Sequence, residues 1–169
     1  PWLTSVLGTA VVRGMQGDNS ADKQHVICTL KHLAAYGVPE GGHNGGPVYA
    51  GERLLRSQLL LPFEKAVKAG AGTVMTSYNS IDGIPCTSNR HLLTDMLRGE
   101  WGFNGFVYSD LLSVDGIAGM GAAANNKEAA VLALKAGLDM DLGGGAFGKN
   151  LKKALDEGLI TMADLDRAV

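Results

Sequence analysis

Asp110 closes the run Gly105-Phe106-Val107-Tyr108-Ser109, whose aromatic and branched residues read as a short buried strand. Asp is depleted inside strands, so Asp110 falls at the strand's carboxyl end, as a turn cap or as a reactive carboxylate. Three further apolar runs stop in the same manner. Lys31 and His32 close 25–30, Tyr78 and Asn79 close 72–77, and Asp139 and Asp141 lie on 138–142. In parallel α/β folds the carboxyl ends of the strands build the site. A carboxylate gathered there with a phenol, an amine and an imidazole favours the functional reading of Asp110 over a turn cap.

The elements that must position these groups alternate. Leu3, Val6, Leu7, Ala10, Val11 and Met15 recur at helical spacing, which predicts an amphipathic helix over 2–16 with these residues as its apolar stripe, ended by Gly17-Asp18-Asn19-Ser20. A glycine-rich loop over 36–49 follows the first strand. A helix over 52–69 is expected to kink at Pro62 and stop at Gly70. Asp82-Gly83 marks a turn, Asn89 a cap for a helix to about Arg98, and Asn126 a cap for a helix over 127–136. Gly143-Gly144-Gly145 leads into a helix over 147–157, and Thr161 with Asp164 forms a capping-box pattern for one more. Strand–helix alternation means parallel strands joined by right-handed crossovers. Tyr78 to Asp110 and Asp110 to Asp141 are 32 and 31 residues apart, matching a repeat of about 30 residues per βα unit. Four such strands cannot close a barrel of eight, so a piece of a barrel is expected rather than a whole one.

Bulk properties exclude several classes. The 169 residues carry a net charge of −2, 46% hydrophobic and 19% charged residues, with no basic run. Neither a nucleic-acid partner nor a membrane surface is expected, and no apolar run approaches the roughly 18 residues that span a bilayer. Cys28 and Cys86 have no metal-ligand spacing and form no disulfide framework. No metal and no cofactor is called for.

Several motifs, in order, carry a family likeness: Lys31-His32-Leu33-Ala34-Ala35-Tyr36-Gly37, Glu52-Arg53 with Leu61-Pro62-Phe63, and Val74-Met75-Thr76-Ser77-Tyr78-Asn79. Leu92-Leu93-Thr94-Asp95 through Arg98-Gly99-Glu100-Trp101-Gly102-Phe103, the strand to Asp110, and Ala136-Gly137-Leu138-Asp139-Met140-Asp141 continue it. Together they resemble family 3 of the glycoside hydrolases, in its β-glucosidase and β-xylosidase branch. The resemblance implies about the C-terminal half of a (β/α)8 barrel across 1–169. The N-terminal half-barrel and a C-terminal α/β sandwich would lie outside this chain. It also implies a retaining, exo-acting β-glycosidase, a β-glucosidase in the first reading, and a secreted or periplasmic location. Asp110 aligns with the nucleophile, Tyr78 with the tyrosine that orients it, and Lys31, His32 and Met75 with sugar-binding positions. The acid/base glutamate of this branch comes from the second domain. The partners implied are a β-linked glucoside or oligosaccharide and the remainder of the same polypeptide, without which the chain is expected to be inactive.

Two departures bear on specificity. The family commonly has Trp after the nucleophile, where this chain has Leu111. The loop Glu40-Gly41-Gly42-His43-Asn44-Gly45-Gly46-Pro47 carries His43 where many relatives have Arg nearby; an N-acetylglucosaminidase branch uses a loop His as acid/base, with a different surrounding motif. Asp139 and Asp141 are read as structural, and Glu52 with Arg53 as helix-start electrostatics or an ion pair. The alternatives are β-xylosidase or β-N-acetylglucosaminidase specificity and an inactive carbohydrate-binding relative. A phosphate-binding barrel enzyme using Gly143–Gly145 is a further one.

Overall fold

The computed structural model describes residues 1–17 and 23–169. Helix α1, Trp2–Gln16, comes first; Asp18, Asn19 and Ser20, expected to end it, lie outside the described residues. Strand β1 is Thr29–Leu33. A short helix α2, Glu52–Leu54, runs into a π-type turn, Leu55–Leu59, and then α3, Leu61–Lys68. Strand β2 is Thr73–Thr76, and the hairpin β3, Ser80–Ile81, and β4, Ile84–Pro85, follows. A π-type helix, His91–Glu100, precedes β5, Phe106–Tyr108. Helices α4, Ser113–Gly119, α5, Asn126–Ala136, α6, Ala146–Asp156, and α7, Met162–Ala168, complete the chain.

The parallel sheet has the order β1-β2-β5. Val74, Val107 and Leu33 are fully buried on its helix-covered side, joined by Leu93, Leu97, Ile117 and Leu138 in the main core. Residues alternate across the pleat, so Thr73, Met75, Phe106 and Tyr108 stand on the other side, where Thr29 Oγ1 bonds Thr73 Oγ1 at 2.6 Å and Tyr108 Oη at 2.9 Å.

Several expectations need correction. The first strand begins at Thr29 rather than His25, so Lys31 and His32 are inside it. Its ladder exists only where β2 supplies a partner, from Thr29 opposite Thr73 to Leu33 opposite Thr76. The strand expected over 138–142 is reduced to one bridge, Tyr108 with Met140. There the Asp139 carboxylate takes the Val107 N–H at 2.8 Å, a donor a longer ladder would need. The break in the 52–69 helix comes at the Leu55–Leu59 turn, and Pro62 sits in the first turn of α3, where its missing N–H is harmless. Asn125, not Asn126, caps α5, accepting from Glu128 N at 3.1 Å. Glu52 does stand in the first turn of α2, as helix-start electrostatics would have it, but its ion pair is with Arg56 at 2.5 Å rather than with Arg53.

The face of α1 differs too. The helix packs on α3 through Val12, against Ala66 and Ala71, and its buried residues are Ser5, Val12 and Gln16. The Gln16 amide pins its end, donating to Gly70 O at 2.7 Å and accepting from Cys28 N at 2.8 Å and Gly72 N at 3.0 Å. The stripe Leu3, Val6, Leu7, Ala10, Val11 and Met15 therefore faces outward.

Other local readings hold. Asn89 Oδ1 accepts from Leu92 N at 3.0 Å at the start of the π-type helix. Asp82 and Gly83 both have positive φ, the geometry a two-residue hairpin loop requires. Thr161 and Asp164 form the full capping box, and the hydrogen bonds from Thr161 hold the Asp164 carboxyl below its usual range. Helix α4 had no counterpart in the sequence pattern.

Candidate active site

The carboxyl ends of β1, β2 and β5 bring His32, Tyr78 and Asp110 together. Below them lies a layer of buried hydroxyls. Thr76 Oγ1 bonds Thr87 Oγ1, and Thr87 Oγ1 bonds Ser113 Oγ, each at 2.9 Å. Ser77 bonds Asn79. Ser109 is fully buried; its Oγ accepts from Leu142 N at 2.9 Å, and its N–H donates to Met140 O at 3.0 Å. These satisfied polar groups fix the backbone on both sides of Asp110. The chain then turns sharply. Leu112 has φ 62°, its N–H donates to Leu142 O at 3.0 Å, and Ser113 N donates to Asp110 O at 3.1 Å.

Asp110 is the hub. Its Oδ1 accepts from Leu111 N at 2.7 Å, and its Oδ2 lies 3.2 Å from His32 Nε2. The carboxylate is 13% exposed, which leaves an oxygen reachable from outside. Burial pushes the pKa of His32 down; Asp110 pulls it up and Lys31 pushes it down again. The net fall keeps the imidazole neutral at pH 7, so the contact is a hydrogen bond from an Nε2–H tautomer rather than an ion pair. Tyr78 Oη donates to Leu111 O at 2.8 Å. Its pKa is raised by burial first and then by the Asp110 carboxylate, the alternative acceptor for the same O–H. The peptide bonds Lys31–His32 and Leu33–Ala34 are cis, and the β1–β2 register shifts between Leu30 and Leu33.

The remaining expected site residues fall as follows. Lys31 is exposed, its charge close enough to act on His32. Met75 is buried, opposite Tyr108, outside the cluster that takes in its neighbour Val74. Leu111 is exposed at the rim, its side chain against Gly143. His43 is exposed on the glycine-rich loop, its ring beside Gly41, and no hydrogen bond or ion pair joins it to Asp110. Asp139 lies elsewhere, clamped by Arg98 Nη2 at 2.6 Å and Arg167 Nη1 at 2.8 Å. Arg98 lies on the π-type helix and Arg167 on α7, so the carboxylate ties both to β5.

Sequence reasoning missed two contributors. The Tyr36 ring centroid is 4.8 Å from that of His32 and 6.0 Å from that of Tyr78, and its hydroxyl donates to Asn44 Oδ1. The usable signal was slight: one aromatic four residues after His32. Ser109 was the other, a polar residue inside an apolar run.

A carboxylate at a strand end, with an imidazole and a phenol around it and an ammonium nearby, is equipped to attack a carbon centre flanked by hydroxyls. Comparison with known proteins gives the family. The model of the glycosyl hydrolase family 3 N-terminal domain matches residues 1–169. A periplasmic β-glucosidase of Salmonella typhimurium is 40% identical over 99% of this chain and 22% of its own length. A β-xylosidase of Formosa agariphila is 46% identical over 91% of the chain and 21% of its own. The crystal structure of a β-glucosidase from Listeria innocua superposes with a TM-score of 0.96 and 38% identity, over 99% of this chain and 24% of that one. The same Listeria enzyme has been crystallised with glucose and, as a mutant, with laminaribiose. The chain thus spans between a fifth and a quarter of the length of these relatives, and it belongs to glycoside hydrolase family 3.

Proposed function

We propose that this chain supplies the nucleophile side of a retaining β-glycosidase, with Asp110 as nucleophile and β-glucosides as substrates. The observation that carries the reading is Asp110 at the end of β5, partly open, with His32 Nε2 at 3.2 Å and Tyr78 beside it. In this reading the Asp110 carboxylate attacks the anomeric carbon and the glycosidic bond breaks. A second carboxyl group, outside this chain, protonates the leaving oxygen. Water, deprotonated by that same group, then releases the sugar from the ester. Lys31 offers donors to sugar hydroxyls, His32 offers its second ring nitrogen as an acceptor, and Met75 is read as an apolar contact for the sugar. Tyr78 and Leu111 N hold the carboxylate in orientation.

The architecture we propose is about half of a (β/α)8 barrel working within a longer polypeptide that adds the other strands and the acid/base. Two features support it: the share of the relatives' length that the chain covers, and an apolar groove of about 620 Å³ between α1, β1 and α3, whose lining does not include Asp110. No helix of the described residues is long and apolar enough to cross a membrane. With a periplasmic relative at 40% identity, we propose an exported enzyme. β-Xylosidase specificity is the second reading, favoured by the 46% identity to the Formosa enzyme.

The test is Asp110→Asn in the complete polypeptide, assayed on aryl β-glucosides and β-xylosides. Asn keeps the shape and removes the attacking charge, so kcat should fall by about three orders of magnitude or more while binding persists. A variant within tenfold of wild type would remove Asp110 from the role.

A further inference from the structure

Segment 40–47 of the glycine-rich loop meets the site at two points, and just beyond it Val48 is fastened to the β3–β4 hairpin, its N–H donating to Ser80 O at 2.9 Å and its carbonyl accepting from Asp82 N at 2.8 Å. The segment's closing bonds, Glu40 N to Pro47 O at 2.8 Å and Gly46 N to His43 O at 2.9 Å, are internal. Gly41, Gly42 and Gly45 all have positive φ, so the segment is made of residues with wide conformational freedom. Its contacts with the site are Asn44 Oδ1, which accepts the Tyr36 hydroxyl, and Gly45, where a Cβ would stand 3.3 Å from Tyr78 Cβ. Tyr36 in turn places its ring against both His32 and Tyr78. One partly buried aromatic therefore touches the two side chains that surround Asp110 and the loop that rims them.

We propose that Tyr36 is a positioning residue of this site: its ring holds His32 and Tyr78 in place, and its hydroxyl, bonded to Asn44, keeps the 40–47 loop ordered before substrate arrives. The inference rests on the reading of Asp110 as the nucleophile. The two halves of the side chain act on different kinetic terms. A loop that must be ordered by the substrate weakens binding. A displaced imidazole or phenol acts on the reacting geometry, where small misplacements are expensive.

Tyr36→Phe, Asn44→Ala, the double variant and Tyr36→Leu would be compared with wild type in the complete polypeptide on an aryl β-glycoside. Asp110→Asn and Tyr49→Phe, the latter with its side chain exposed beyond the 40–47 segment, serve as controls. Tyr36→Phe and Asn44→Ala should each raise KM about threefold to tenfold, with a smaller effect on kcat, as expected for one lost hydrogen bond. The double variant should be no worse than either single one, because both remove the same bond. Tyr36→Leu should in addition lower kcat about tenfold or more. Melting midpoints should stay near wild type for Tyr36→Phe and Asn44→Ala. Multiplying effects in the double variant, or losses that track falling melting midpoints, would overturn the inference. So would kcat and KM within twofold of wild type for Tyr36→Phe. If Tyr36→Leu fails to fold, the Phe and Asn44 cycle decides alone. A wild-type polypeptide without glycosidase activity, or an active Asp110→Asn variant, would instead overturn the underlying reading, and the inference with it.

Discussion

Helices α1 and α5 make an instructive pair. Helix α5 has 11 residues and buries Ala129, Ala130, Ala133, Leu134 and Ala136, small side chains fitted closely against the main core and α6. Helix α1 has 15 residues and a richer apolar stripe, yet Val12 is its only buried apolar residue. Trp2, Leu3, Val6, Leu7, Val11 and Met15 are each about half exposed or more. Soluble monomers seldom leave so large a contiguous apolar surface uncovered. The pattern on α5 is satisfied within the chain; the pattern on α1 is not, which fits our proposal that further polypeptide packs beside β1.

The largest test of this contrast is a pair of truncations in the 169-residue chain. Leu134→Ala removes a 1%-exposed side chain packed on Ala154 and Ile160, and should cost about 3 kcal/mol in urea unfolding. Leu7→Ala, 57% exposed, should change stability by less than about 0.5 kcal/mol. Equal costs would break the comparison. In the complete polypeptide Leu7→Ala should become expensive, and that gain would sharpen it.

Asp139 offers the next effect. Its side chain is 6% exposed between Arg98 and Arg167. Asp139→Asn places an amide N–H₂ among donors and leaves two guanidinium groups short of a counter-charge. A loss of about 2 to 4 kcal/mol is expected, with α7 released first, since Arg167 also donates to Leu134 O and Leu138 O. Hydrogen exchange on α7 would follow it; α7 amides as protected as in wild type would contradict the clamp.

A smaller effect separates the closed side by pH. Cys86 is fully buried, and burial pushes its thiol up to about 12. An unfolded thiol ionises from about pH 8.5. The folded pKa is raised, so the stability tied to this group is complete below about 8.5 and is lost as the pH rises toward 12. Cys86→Ala should flatten that alkaline slope in urea midpoints. An unchanged slope would mean the thiol is reachable by water.

How much of this was readable beforehand follows from how local each feature is. Asp110 and Tyr78 were legible because strand formers that stop at a polar side chain leave a mark in a few consecutive residues. The capping box at Thr161 and the turn at Asp82-Gly83 were legible for the same reason. The outward stripe of α1 was not: periodicity shows that a helix has two faces, but a three-fold tie through Gln16 decided which one packs. The strand over 138–142 was lost to one side chain, Asp139, competing for a backbone donor. Asn44 meets the site only through tertiary convergence, and Tyr36 and Ser109 left only a slight local mark, one aromatic four residues after His32 and one polar residue inside an apolar run.

The central claim is that Asp110 is the nucleophile. A slow 2-deoxy-2-fluoro β-glycoside with a good leaving group traps the covalent ester, because weakening the oxocarbenium-like state slows both steps while the leaving group rescues only the first. Incubated with the complete polypeptide, digested and mapped by mass spectrometry, the label should sit on the peptide containing Ser109-Asp110. A label on Asp139, on Asp141 or on a residue outside this chain would contradict the account.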